Sequence, residues 1–390
     1  MTAPLAVPPR VSTPAARPAA VRAGHPVAPA TWVREPGSFA VPSAPPVKRA
    51  IGAVTAVDRV VVAGSLVAAS ALAWVLCFRL LPWGTVPGVV LTGFVLFLAI
   101  VSVATSATSS GPMVVDRLAS AVITGGAALV GVALVSTVVF TFVRGAPALP
   151  HLNMFVSDMA GIGPRDALST GGVAHAILGS LIEITLAVAV TVPLGFGTAV
   201  FMTEVGGPFA RVVRTVVEAM TALPSIVAGL FVYTVLIVGL GVPRSGLAAA
   251  AALSVMMLPI IARAADVVLR VVPSGLREAS LALGSSRWRT VWHVVLPTAR
   301  PGLATALILG VARGIGETSP VLLTSGVASF VVLSPTDGVM NSLPLFIYTT
   351  VRSGEPLYVE RGFAAASILL FLVLVLFVVA RRLARPRTGR

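Results

Sequence analysis

One lysine, Lys48, stands in the whole chain, and the residue after it is arginine. A phosphate-cradling loop of the form G-x-x-x-x-G-K-[ST] is therefore excluded, and with it an ATP site of the P-loop kind. One cysteine, Cys77, excludes an intrachain disulfide framework and a cysteine-built metal centre. It falls in the first apolar run and reads as a small apolar residue. The histidines, at 25, 151, 175 and 293, are scattered, and neither H-E-x-x-H nor G-x-S-x-G occurs. His175 reads as a satisfied residue at a membrane edge. No nucleophile, acid–base pair or metal-ligand set stands out, so we expect no enzyme and no cofactor or metal bound by this chain. Charge is scarce as well: 11% of residues are charged, against roughly 25% in soluble domains.

Apolar residues fill the gap, at 56% of the chain and a mean hydropathy of +0.98. They form eight runs, near 60–78, 86–104, 120–143, 172–202, 215–240, 246–269, 302–325 and 363–380. About 20 such residues cross the roughly 30 Å hydrocarbon core of a bilayer. One run alone could be a buried core helix; eight predict an all-α polytopic membrane protein. The net charge of +14 would point to nucleic acid in a soluble protein. Here its distribution decides otherwise. With alternating spans and the C-terminus inside, the inside segments hold about 20 of the 28 basic residues. Only Arg263 and Arg313 fall within spans. The positive-inside rule thus predicts that both termini are cytoplasmic.

The chain divides into three segments. Residues 1–57 are a tail rich in proline and alanine, expected to be disordered because it cannot bury enough apolar surface to offset its ordering entropy. It has no apolar stretch behind a short basic start and is not read as a signal peptide. Residues 58–112 hold two spans, and a polar break, "TSATSSGP", closes them. Residues 113–385 form the remainder, opening with one span and a covering loop over 144–170. Three successive spans then carry prolines, in "VPLGFG", "LPSIVAGL" and "MLPIIAR". Proline inside a span is tolerated where neighbours or cavity water satisfy the freed carbonyls, and broken spans are a mark of transporters.

One stretch is out of keeping with its surroundings. "REASLALGSSRWRTVWHVVLP", Arg277–Pro297, reads as a short helix, a glycine joint at Gly284 and a second amphipathic helix, within a unit of about 273–297. Trp288, Val291, Trp292 and Val295 share one helical face, Ser285 or Ser286 can cap its start, and Pro297 closes it. By physics alone this is either a membrane-surface helix or a knob for a cytoplasmic partner. The residues Glu278, Ala279 and Ser280, then Gly284, then Val294, Leu296 and Pro297 resemble the E-A-A-x3-G-x9-I-x-L-P signature of ABC importer permeases. Only Ser280 and Val294 depart from it. The stretches "LPSIVAGLF", "VLPTARPGLATALILGVARGIGETSPVLLT" and "NSLPLFIYT" extend the resemblance to phosphate importer permeases of PstA type, over about 120–380.

The resemblance implies a type I permease core of six spans, so the first two spans are extra. It implies a coupling helix at 273–297 that inserts into a separate ATPase dimer carrying ATP and magnesium. It also implies a second homologous permease, an extracytoplasmic phosphate-binding protein, and residence in the bacterial cytoplasmic membrane.

The seventh run supports an anion route independently. Arg313 and Glu317 stand four residues apart in apolar surroundings and can pair. An arginine at mid-bilayer costs about 2.5–3.5 kcal/mol on insertion scales, so it persists where it faces a cavity or a partner. Its planar fork suits phosphate, and Thr318 adds a hydroxyl. We expect Arg313 to line the path, with Glu317 neutralising it when empty; a purely structural ion pair is the alternative. Arg263, with Asp266 nearby, is a second candidate. Ala306, Gly310 and Gly314 form a small-residue stripe that would admit another helix closely, expected at the interface between the two permeases. The rival functions are an ABC permease for sulfate or molybdate, which shares the coupling signature, and a secondary transporter, which needs none.

Overall fold

The computed structural model describes residues 56–81, 84–107 and 111–384. The tail lies, up to residue 55, outside the described residues. Regular structure among the described residues is helical throughout. Among the described residues seven helices are long and apolar enough to cross a membrane, and a pair bent by 106° passes the same test when taken together. The chain is an all-α polytopic membrane protein. Its contacts divide it into two units, Met1–Ala119 and Ser120–Arg390.

In the first unit α1 (Ala56–Val75), extended by a π turn over Leu76–Leu80, pairs with α2 (Val86–Ser106). Ala69, Ala73 and Cys77 recur every fourth residue, each 1% exposed, and Gly93 faces Ala73 across the pair. Small residues at this spacing let two helices approach closely, and Cys77 is one of them. The unit also holds the start of α3 (Gly111–Gly145), which continues into the second unit.

In the second unit α3 meets its neighbours near its C-terminal end, where Phe140 packs edge-on against Phe363. A connecting loop with a single turn, α4 (Asn153–Val156), leads to α5 (Ala174–Val200), which a π turn extends to Val205. The remaining helices are α6 (Gly207–Thr221), α7 (Ser225–Val232), α8 (Gly246–Val271), α9 (Ser274–Ala282), α10 (Arg287–Thr290), α11 (Leu296–Ile315), α12 (Ser319–Thr324), α13 (Leu343–Val351) and α14 (Pro356–Ala384). The hub is α8. Met257, Ile261, Ala265 and Leu269 are fully buried along it, against α5 on one side and α11 on the other.

The loop over 144–170 is more than a cover. Met154 and Met159 enter the core, and Arg361 of α14, 1% exposed, donates to the carbonyls of Asp166, Ala167 and Thr170. Arg165 pairs with Glu355 at 2.9 Å on the surface, which holds the Glu355 carboxyl below its usual range. At that exposure the pair adds little stability. His175, the second residue of α5, is not satisfied as expected: it is buried, packs edge-on against Phe346, and neither ring nitrogen has a hydrogen-bond partner among the described residues.

The spans depart from the apolar runs in two places. The run near 215–240 is two helices, α6 and α7, broken at Ala222–Pro224. Pro193 and Pro259, by contrast, sit inside unbroken α5 and α8. The run near 302–325 belongs to a helix that starts much earlier. Residues Arg287–Ile315 run continuously through a π turn over Val291–Val295, and the chain breaks at Gly316–Thr318 before α12. Pro297 therefore closes nothing. It lies within this continuous helix, directly after the π turn.

Candidate functional site

The two broken helices meet. Any Cβ on Gly229 of α7 would stand 2.5 Å from Pro320 Cα of α12, so the half-helices after both breaks are in backbone contact. Beside them is a cavity of about 70 Å³ lined by Met220, Thr221, Leu223, Ala228, Val255, Met256, Ile260 and Arg313. The α6–α7 break is thus level with the middle of α8. Arg313 is in the last turn of α11, 59% exposed, and its Nη2 is 3.0 Å from Glu317 Oε1 just past the helix end. Glu317 itself is 8% exposed. The pair expected from the four-residue spacing is present, one partner free to face an open space and the other held. Thr318 stands at the start of α12, half-buried, without a side-chain capping bond.

Arg263 belongs to a different cluster. Its nearest partner is Glu218 of α6, at 2.6 Å, and Asp266 is only at 3.9 Å. Asp266, 1% exposed, is served by Arg214 at 3.4 Å and by both Nε and Nη2 of Arg270 at 3.2 Å. A buried carboxylate needs such partners. The cluster ties α6 to α8, and sequence spacing could not reveal Arg214 or Glu218, because they come from another helix.

The small-residue stripe has a different neighbour from the one expected. A Cβ on Gly310 would stand 2.8 Å from Ile261 Cδ1, one on Gly314 would stand 2.5 Å from Met257 Sδ, and Ala306 is 2% exposed. Ala306, Gly310 and Gly314 thus pack against α8 of the same chain. The correction has a simple cause: spacing of small residues shows that a helix comes close, not whose helix it is.

At one end of the unit α9 and α10 form a hairpin. Gly284 turns it at φ +80°, a conformation that suits glycine, and Ser286 accepts from Arg289 N. Ser280 Oγ and Thr290 Oγ1 are 2.9 Å apart and close the two legs. The serine that departs from the family signature therefore supplies a hydroxyl across the hairpin. The face read from periodicity divides: Val291 and Val295 are buried, whereas Trp288 and Trp292 are exposed and stacked edge-on at 5.7 Å. Glu278, Ala279 and Gly284 are exposed, and Leu283 is 88% exposed. Val294, Leu296 and Pro297 are half-buried where the hairpin joins α11.

Arg277 anchors this hairpin, and no local signal in the sequence singles it out. It pairs with Glu204 at 2.9 Å and donates to the carbonyls of Leu269 and Val272, the free end of α8. Removing it in Arg277→Ala should raise backbone hydrogen exchange over Ser274–Ala282 by about tenfold, as the loss of charged hydrogen bonds implies. Unchanged protection would show that the hairpin is held without it.

Broken spans around an arginine–glutamate pair buried on one side, with an amphipathic helical hairpin exposed at one end, are the build of a transporter's membrane subunit. Residues 191–388 match the family model described as "Binding-protein-dependent transport system inner membrane component", and the chain belongs to that family. Within it the chain is of the PstA type. It is 40% identical over 231 residues to "Phosphate transport system permease protein PstA" of Mycobacterium leprae, covering 59% of this chain and 75% of that one. It is 38% identical over 252 residues to "Phosphate transport system permease protein PstA 1" of Mycobacterium tuberculosis H37Rv, covering 62% and 81%. It is 32% identical over 247 residues to the protein of the same name from Pasteurella multocida, covering 63% and 85%. The chain is accordingly a multi-span ABC permease subunit of the inner membrane.

Proposed function

We propose that this chain is the transmembrane permease subunit of an ATP-driven importer of inorganic phosphate. The observation that carries the reading is Arg313, a guanidinium facing a mid-depth cavity at the junction of two broken helices, with its counter-ion buried behind it. Its fork suits a phosphate oxygen pair, and relatives at 38–40% identity are phosphate permeases by name. In this reading Arg313 holds the anion transiently, Glu317 neutralises it in between, and Thr318 adds a hydroxyl. Arg263, engaged by Glu218, is a secondary contact on the way out.

The hairpin end faces the cytoplasm and both termini lie on that side, in keeping with the basic residues there. Glu278, Ala279, Ser280 and Gly284 present the coupling surface to a cytoplasmic ATPase dimer, with Val294, Leu296 and Pro297 fixing its root. ATP and magnesium belong to that partner and not to this chain. Leu283, Trp288 and Trp292 offer the apolar contact a groove would bury. A second, homologous permease completes the path as a heterodimer, and an extracytoplasmic binding protein delivers phosphate. The tail of 1–57 and the spans of 58–112 are additions to a core of 113–385.

The test is radiolabelled phosphate uptake at low external phosphate in cells lacking the gene, with sulfate uptake as control. Wild type should restore phosphate uptake alone, and Glu278→Arg, which reverses charge on an exposed hairpin residue, should fail despite normal membrane levels. Restoration of sulfate or molybdate uptake instead would redirect the reading to another oxyanion. Uptake independent of any ATPase would redirect it to a secondary transporter.

A further inference from the structure

Glu183 lies on α5, 1% exposed, apart from both the Arg313 cavity and the hairpin. Among the described residues no ion pair reaches it. Its Oε1 is 2.9 Å from Ser325 Oγ, and the same Oγ is 2.7 Å from the carbonyl oxygen of Met340. A serine hydroxyl has one proton to give, and a carbonyl can only accept. One proton cannot serve both acceptors, and the Met340 carbonyl stands at the shorter distance. With the Ser325 proton given there, the contact with Glu183 needs a proton on the carboxyl.

A second observation agrees. Glu183 and Glu317 line one space of about 10 Å³, with Ser180 on α5, Leu253 of α8, Val321 of α12 and Ser342 before α13. Glu317 is the only other titratable group on that lining. Two carboxylates in one confined site do not both ionise readily. Glu317 has Arg313 to balance it, so the proton falls to Glu183.

We infer that Glu183 is held as a neutral carboxylic acid, donates to Ser325, and is a positioning residue that fastens the loop between α12 and α13 to α5. The two ends of that loop meet at this point. Met340 N donates to the carbonyl of Ser325, and Leu343 N donates to Ser180 Oγ at 2.7 Å. Gly179, on the same face of α5, touches the carbonyl oxygen of Asn341 so closely that no Cβ fits. Ser325 follows α12 directly, and α12 follows Glu317. Fastening Ser325 therefore holds the segment that carries the counter-ion of Arg313.

The protonation state is read on the assembled complex, this chain with its partner permease and ATPase, in lipid nanodiscs at neutral pH. The infrared difference between wild type and Glu183→Gln should show one protonated-carboxyl carbonyl band lost. Loss of carboxylate bands instead would overturn the proposal. The positioning role rests on the proposed function and is read by uptake. Glu183→Gln, which keeps a donor, should stay within about twofold of wild type in maximal rate. Glu183→Ala, which leaves buried Ser325 unmatched, should fall about tenfold. Equal loss in both variants would remove the donor role. A wild-type complex that moves no phosphate would sink the phosphate reading, while the infrared band still decides the proton.

Discussion

Arg313→Gln should lower phosphate uptake by about 100-fold while the protein reaches the membrane in normal amount. Glutamine keeps a polar end on a side chain two atoms shorter, and loses the charge and the fork. Two charge-assisted hydrogen bonds to a transient anion are worth about 1.5–3 kcal/mol each, so about 100-fold is the lower end of the effect. The fold should survive, because Arg313 is 59% exposed and contributes no core surface. Glu317 is the complication: it stays buried and loses its cation, which costs stability in its own right. The double variant Arg313→Gln with Glu317→Gln separates the two roles. It removes both charges together, so a pair that only locks the helix end should regain most of its function. A path residue should not. Uptake that stays lost in a double variant with wild-type thermal stability would place Arg313 on the route; recovered uptake would make the pair a lock.

Gly310→Leu should lower the membrane level of the chain several-fold rather than weaken its pairing with a second permease. Ile261 lies between two glycines, its Cγ2 2.9 Å from a Cβ built on Gly195 of α5 and its Cδ1 2.8 Å from one built on Gly310 of α11. It cannot turn away from one without striking the other. Overpacking of a tight core costs about 3 kcal/mol at the upper end, enough to lower cellular abundance several-fold. Adding Ile261→Ala to Gly310→Leu vacates the space the leucine needs and should return part of the protein, measured as membrane level and melting temperature. If Gly310→Leu instead left level and melting unchanged but abolished co-purification of the partner permease, the stripe would face outward after all.

Much of the α9–α10 hairpin was legible in the chain because its signals are local. Gly284 needs a positive φ, Ser286 caps the second leg, and a glycine joint with two amphipathic legs admits few other shapes. Even so, one periodic face proved to be two. The four residues 288, 291, 292 and 295 span an arc wide enough for a neighbour to cover one edge, and only Val291 and Val295 are covered. The Arg313–Glu317 pair was legible for the same local reason, a spacing of one helical turn. Its setting was not, since the break at Gly316–Thr318 falls inside an apolar run that hydropathy cannot divide.

What the sequence determined by itself is therefore the class of the protein and its local devices: apolar runs long enough to span, a single lysine that stands in no nucleotide loop, a glycine-jointed hairpin, and an arginine one turn from a glutamate. These depend on composition and on residues within a few positions of each other. The tertiary structure decided which helix each face meets. It gave the glycines of α11 to α8 of the same chain and Arg263 to Glu218. It set Arg277 on the end of α8, and it buried Glu183 beside Ser325, 142 positions away in the chain. Such pairings arise from helices far apart in sequence, and no period within one helix encodes its neighbour.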